Sequence, residues 1–144
     1  MKDALINNSR GFTIVEVVIV LAIAGLIFAV VFIAVPQLQQ GQRDSARDSE
    51  FDRLESAITQ YQSRNNGDLP GTGDVQHGGE VVDEYMNGEF ADPIGGDFSQ
   101  GSPDFENGEF SYTTGEDCDG NTGERYYAIE YAVEQGPDIC RDNS

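Results

Sequence analysis

An unbroken apolar block of 24 residues lies near the N terminus of the chain. From Phe12 to Val35, only Thr13, Glu16 and Gly25 are not strongly apolar. A helix of this length is about 36 Å long, which is enough to cross the roughly 30 Å hydrocarbon layer of a membrane. The apolar core of an ordinary cleaved signal peptide is shorter, at about 7 to 15 residues. The pattern therefore predicts a membrane-spanning helix over residues 12–35.

A narrower apolar stripe follows in a polar segment. It consists of Phe51, Leu54, Ile58 and Tyr61. Spacings of three, four and three place these residues on one face of a helix, which we expect to lie on a sheet. Residues 36–64 are thus predicted to be the amphipathic second half of one long helix. Its weakest part follows Pro36, because proline removes a backbone hydrogen bond.

Residues 65–144, called the head below, are predicted to contain a small sheet. Apolar and polar side chains alternate over residues 126–134, which predicts the clearest strand of the chain. We expect a partner strand over residues 109–114, connected to it by a polar loop at 115–124. A last short strand is expected to pass through Ile139.

The segment between the helix and the sheet has little periodicity. Residues 72–104 are interrupted by Gly-Gly, Asp-Pro and Ser-Pro pairs, so we expect loops and one short helix near residues 80–87. The predicted fold class is therefore α+β, with a long N-terminal helix packed on a small antiparallel β-sheet head.

The charge of the chain is concentrated in the head. The 144 residues carry 26 acidic and 8 basic side chains, which gives a formal charge of −18. Residues 65–144 hold 19 of the acidic residues and only two basic ones, Arg125 and Arg141. Such a surface repels phosphate backbones and anionic lipid, which argues against direct nucleic-acid binding.

Both cysteines of the chain lie in the head, at Cys118 and Cys140. In a short domain outside the cytoplasm, two such cysteines predict a disulfide, and closing this loop is worth about 3 kcal/mol on the chain-entropy model. The alternative is a cysteine metal site. It is disfavoured because the chain has no CxxC pair and a single histidine, His77.

The most informative segment joins the N-terminal polar stretch to the apolar block. It reads Ser9-Arg10-Gly11-Phe12-Thr13-Ile14-Val15-Glu16. A short basic leader that ends in glycine, followed by phenylalanine and then an acid in the apolar stretch, resembles the class III signal of type IV pilins and pseudopilins. The resemblance implies that residues 1–11 are a leader and that a prepilin peptidase cleaves between Gly11 and Phe12. It also implies that the new N-terminal amine of Phe12 is methylated.

Glu16 is the residue for which two explanations compete. A carboxylate in a membrane helix costs about 2.5 to 3.5 kcal/mol near the bilayer centre and less near an end, so it should have a partner. The resemblance implies that Glu16 pairs with the amine of Phe12 on a neighbouring subunit and sets the register of assembly. The local alternative is a capping box between Thr13 and Glu16 at the start of the helix.

Other candidate sites carry weaker signals. Four residues of the loop around Cys118 gather oxygen atoms that could bind calcium: Asp117, Asp119, Asn121 and Glu124. Their spacing is not that of an EF-hand, and the alternative is an acidic loop without a metal. His77 is interpreted as a solvated loop residue. No nucleophile, base and orienting group can be assembled from the sequence, so no enzymatic activity is predicted.

These observations predict a pilin-like structural subunit without a cofactor. The resemblance implies a homo-oligomeric helical filament, together with a prepilin peptidase, an assembly ATPase and a membrane platform. The subunit would be a single-pass membrane protein before assembly and part of an extracellular surface filament afterwards, serving motility, adhesion or DNA uptake. One alternative is a type II secretion pseudopilin, and another is an unprocessed, signal-anchored extracellular binding domain.

Overall fold

A computed structural model describes residues 11–144, so the predicted leader, except for Gly11, lies outside the described residues. The described part contains two helices, α1 (Ile14–Arg64) and α2 (Glu80–Tyr85). It contains four strands, which are β1 (Ser99–Gln100), β2 (Glu109–Glu116), β3 (Thr122–Tyr131) and β4 (Ile139–Asp142). The contacts divide the chain after Leu38, and Gln39–Ser144 forms a compact unit of its own.

Helix α1 is continuous, as the sequence predicts, and includes Pro36 in its interior. It ends where two residues adopt positive backbone φ angles, 57° at Asn66 and 90° at Gly67. The Gly67 amide donates a 2.8 Å hydrogen bond to the carbonyl of Gln62, which satisfies an acceptor of the last helical turn. Glycine suits this position because it has no Cβ to oppose the left-handed conformation.

The four strands form one sheet in the order β1-β2-β3-β4. The pairs β2–β3 and β3–β4 are antiparallel, but β1 runs parallel to β2, so the sheet is mixed and not purely antiparallel as predicted. Strand β1 was not predicted, because two residues carry no periodicity that a sequence pattern can reveal. The predicted short helix and last strand are confirmed as α2 and β4.

The boundaries of the β2–β3 hairpin differ from the prediction. Both strands extend into the expected loop at 115–124, so that only residues 117–121 lie between them. Strand β3 ends at Tyr131, three residues before the predicted end, because the chain there bonds to side chains of α1. The Ala132 carbonyl accepts a 2.8 Å hydrogen bond from Arg47, and the Glu134 amide donates a 2.8 Å bond to Asp44.

The core lies between the predicted stripe of α1 and the inner face of the sheet. Phe51, Leu54 and Ile58 are completely buried, and Tyr61 packs at the edge of this cluster. The Phe51 ring stacks on Tyr131 with 3.9 Å between centroids, and the rings of Phe90, Phe98 and Phe110 surround it within 5.6 Å. The amphipathic half of α1 is therefore an integral part of the compact unit.

A buried ion pair lies one helical turn before Phe51. The side chains of Arg47 and Asp92 are each only 2% exposed. The Arg47 guanidinium donates hydrogen bonds to both carboxylate oxygens of Asp92 and to the carbonyls of Phe105 and Ala132. It also lies 4.1 Å from the centroid of the Phe105 ring. This arginine thus joins α1 to three separate segments of the head.

Candidate functional site

The N-terminal segment begins with exposed residues that precede α1. Phe12 is 89% exposed and Gly11 is also exposed, with no heavy atom within 4 Å of the position where a Cβ on Gly11 would lie. The Gly11–Phe12 bond therefore lies in an exposed segment that precedes the helix. The helix begins two residues later, at Ile14.

Thr13 and Glu16 form the capping box that the sequence allows. The Glu16 carboxylate accepts a 2.9 Å hydrogen bond from the Thr13 amide and a 3.0 Å bond from the Thr13 hydroxyl. In return, the Thr13 hydroxyl accepts a 3.2 Å bond from the Glu16 amide. These reciprocal bonds satisfy donors that a helix N terminus leaves free. Both bonds to the carboxylate use Oε2, and Oε1 accepts none from residues 11–144.

The apolar half of α1, residues 14–35, exposes almost all of its side chains. Of the large hydrophobic residues that are exposed among residues 11–144, all but Ile94 lie between Phe12 and Leu38. Within the described residues, α1 is the helix that is long and apolar enough to cross a membrane. A continuous apolar surface of this kind marks contact with lipid or with other proteins.

Cys118 and Cys140 form a disulfide, as predicted, with 5.9 Å between their Cα atoms. It connects the β2–β3 turn to β4. The Cys118 amide also donates a 2.9 Å hydrogen bond to the Asp142 carboxylate, which lowers the pKa of that group below its ordinary value. Arg141, the residue after Cys140 on β4, forms ion pairs with three carboxylates of α1, those of Asp48, Asp52 and Glu55. The disulfide therefore secures a strand that is itself tied to the helix.

The predicted calcium-binding residues lie in or beside the β2–β3 turn. The Asp117 side chain accepts hydrogen bonds from the Asp119 amide at 3.0 Å and from the Asn121 amide at 2.7 Å. Its second oxygen accepts a 2.8 Å bond from the Asn121 side chain, and this bond is the main reason why the pKa of Asp117 is lowered. Glu124 lies on β3. Both carboxylate oxygens of Asp117 thus accept hydrogen bonds within the turn, and calcium binding stays a prediction.

Within residues 11–144, no three His, Cys, Asp or Glu side chains are grouped closely enough to hold a metal ion. His77 has a half-exposed side chain and lies 3.6 Å from the carboxylate of Asp97. Its exposed position agrees with the interpretation of a solvated loop residue.

Two charged residues with special surroundings were missed by sequence analysis. Arg47 is buried with Asp92, although its charge suggested a solvated position. Arg125 lies on an exposed groove and forms no ion pair with the described residues. The signal for Arg47 was its position four residues before Phe51, which continues the buried stripe. No sequence signal distinguishes Arg125.

Comparison with known proteins identifies the N-terminal segment. A family model described as the prokaryotic N-terminal methylation motif matches residues 6–32. This is the class III signal peptide of type IV pilins and pseudopilins, so the resemblance drawn from Gly11, Phe12 and Glu16 is confirmed. No curated protein and no solved structure gave a significant match to the chain. The motif, with the long apolar helix and small sheet, supports a type IV pilin or pseudopilin family protein.

Proposed function

We propose that this chain is a type IV pilin-like structural subunit, cleaved between Gly11 and Phe12 and polymerised into a surface filament. The observation that carries the proposal is the methylation motif at the start of a helix whose apolar half is exposed. A prepilin peptidase, an assembly ATPase and a membrane platform are the partners that such a subunit requires. The same motif belongs to pseudopilins, which the experiments below separate from surface pilins.

In this proposal, the exposed apolar half of α1 is covered first by lipid and later by other subunits. Residues 14–35 extend about 33 Å as a helix, which matches the hydrocarbon layer of a bilayer. Lipid covers this surface before assembly. In the filament, the same side chains of neighbouring subunits cover one another, and the hydrophilic head faces the solvent outside the cell.

Glu16 can align subunits as they move from the membrane into the filament, because its carboxylate can pair with a cationic amine. Cleavage after Gly11 would create an α-amine on Phe12 with a reference pKa of about 7.7 to 8.0, which is mostly cationic at neutral pH. The capping box occupies Oε2 of Glu16 and leaves Oε1 available for the amine of a neighbouring subunit. Capping and pairing are therefore compatible roles of one carboxylate.

Two substitutions separate those roles in native cells. Glu16→Gln removes the charge but keeps an oxygen that can accept the capping bonds, because glutamine also serves in capping boxes. Thr13→Val removes the capping hydroxyl but keeps the charge of Glu16. We expect Glu16→Gln to lower the amount of subunit in sheared surface filaments by at least about tenfold, whereas Thr13→Val assembles near the wild-type level. A wild-type yield from Glu16→Gln would exclude a role of the charge in assembly.

The N-terminal peptide mass of the sheared protein tests processing and polymerisation together. A peptide that starts at Phe12 and is one methyl group heavier than its sequence is expected. Retention of the processed protein in the cell envelope, with none in the sheared fraction, would favour a pseudopilin. Protein that keeps residues 1–11 and stays in the membrane would leave the signal-anchored binding domain as the better interpretation.

A further inference from the structure

Arg125 lies in a groove whose composition differs from the rest of the acidic head. The groove has a volume of about 460 Å³ and is formed by the end of α1, the following turn and the strands beside them. Its lining residues are Thr59, Gln62, Ser63, Asn66, Gly67, Arg125 and Asn143. None of these residues is acidic, and Arg125 is the one charged residue among them. Arg125 therefore supplies the one formal charge that lines this groove, in a head whose side chains are mostly acidic.

The other arginines of the described residues are already paired within the chain. Arg43, Arg47, Arg53, Arg64 and Arg141 each lie within 4.0 Å of a carboxylate oxygen. Arg125 has no such partner among residues 11–144. Its side chain is exposed, and its guanidinium offers five N–H donors in a planar arrangement that fits a carboxylate.

Neighbouring residues hold the main chain of Arg125 by hydrogen bonds and leave space for its side chain. The Asn143 side chain donates a 2.7 Å hydrogen bond to the Arg125 carbonyl and accepts a 3.1 Å bond from the Tyr127 amide. The Arg125 guanidinium lies against Gly67, where an added Cβ would be 3.3 Å from Cζ. The glycine that ends α1 thus also makes space for the guanidinium.

We propose that the Arg125 groove binds a carboxylate of the head of a neighbouring copy of this chain. The inference rests on the proposed function, since it assigns a subunit contact within the filament. Charge complementarity is the reason for choosing a carboxylate of a second copy as the ligand. Heads that each contain 19 acidic residues repel one another, whereas the groove offers a neighbour's carboxylate an unpaired cation. This contact would attach the heads of adjacent subunits to one another.

Arg125→Lys provides a direct test, because the only lysine of the chain is Lys2. Removal of the leader would leave a mature chain without lysine, so the substituted amine would be its unique side-chain amine. A zero-length carbodiimide reagent joins an amine to a carboxylate with which it is in contact. Treated filaments of this variant are expected to contain covalent dimers linked through position 125, and peptide mass spectrometry of the dimers identifies the carboxylate on the second copy. A link from the Phe12 amine would lie in a different peptide.

Arg64→Lys is the matched control, because Arg64 is exposed and lies 2.8 Å from Glu84 of its own chain. We expect its links to join positions 64 and 84 within one chain, with no dimers linked through position 64. A companion pair, Arg125→Gln and Arg64→Gln, measures the contribution to assembly. The first is expected to lower the filament yield about tenfold and the second to leave it unchanged.

The outcomes distinguish this contact from the proposed function. If wild-type cells yield no processed subunit in the sheared fraction, the filament proposal itself fails. If wild-type filaments form but Arg125→Lys gives no dimers linked through position 125, or links this position only to carboxylates of its own chain or of another protein, the groove does not bind a neighbouring copy. A wild-type yield from Arg125→Gln would likewise overturn the proposal.

Discussion

The buried pair of Arg47 and Asp92 allows a quantitative test of how the head is held on α1. The perturbation is Asp92→Asn, which keeps the size of the side chain and removes its charge. The guanidinium would then retain its bonds to the carbonyls of Phe105 and Ala132, but it would lack a counter-charge in a site where its side chain is 2% exposed.

The magnitude follows from the cost of an uncompensated buried charge. Removal of one partner from a buried ion pair costs about 3 to 5 kcal/mol, whereas an exposed pair contributes about 0 to 1 kcal/mol. We expect Asp92→Asn and Arg47→Met each to lower the free energy of unfolding by about 3 to 5 kcal/mol. The double variant should lose less than the sum, with a coupling energy of about 2 to 3 kcal/mol. A unit of this size has a total stability of about 5 to 15 kcal/mol.

The assay is urea unfolding of the fragment Gln39–Ser144, followed by far-UV circular dichroism and tyrosine fluorescence. The fragment is suitable because it contains every buried core residue of the described chain. Free energies are compared through the midpoints and slopes of the transitions. Arg53→Met is the matched control, because Arg53 pairs with Glu50 on the surface of α1 with a side chain that is 44% exposed.

One result would refute the reasoning. If Asp92→Asn lowers stability by less than about 1 kcal/mol, and thus no more than Arg53→Met, the guanidinium is not desolvated in solution. Near-additive losses in the double variant would lead to the same conclusion, because a tightly coupled pair cannot contribute independently.

Two further predictions concern covalent and acid stability of the same fragment. Replacement of Cys118 and Cys140 by serine should lower the free energy of unfolding by about 3 kcal/mol in urea titrations, and an unchanged midpoint under oxidising conditions would contradict this. Arg43 lowers the pKa of Glu134, and Asn121 lowers that of Asp117, from ordinary values of 4.5 and 3.8. The unfolded chain therefore binds protons first, so the urea midpoint should fall as the pH drops below 4.5. A rising midpoint would mean that relief of charge repulsion dominates.

The elements with clear periodicity could be predicted from the sequence, and the reason is physical. Phe51, Leu54 and Ile58 repeat with the period of a helix because one face of the second half of α1 is buried. Tyr127, Ile129 and Tyr131 alternate because β3 has one face on the core. Strand β1 has only two residues and no period of its own, so it is defined only by its pairing with β2.

The candidate site was predictable where its chemistry is local in sequence. Gly11, Phe12, Thr13 and Glu16 lie within six residues, and their order carries the signal. The partners of Arg47 were not predictable, because Asp92 is 45 residues away and its loop has no regular pattern. A charged residue of a helix is ordinarily exposed to solvent. Only the fold shows that segments of the head cover Arg47.

Most arginines of the compact unit form ion pairs between α1 and the head, which the composition of the chain does not reveal. Arg43, Arg47 and Arg64 of α1 bond to acids of the head, and Arg141 of the head bonds to acids of α1. These four arginines thus form six ion pairs between the helix and the head. Because these contacts pair four of the arginines within the chain, most of the acidic excess remains on the solvent-facing surface. In the proposed filament, acidic heads attract one another only through a site of opposite charge, and among residues 11–144 the Arg125 groove offers an unpaired arginine.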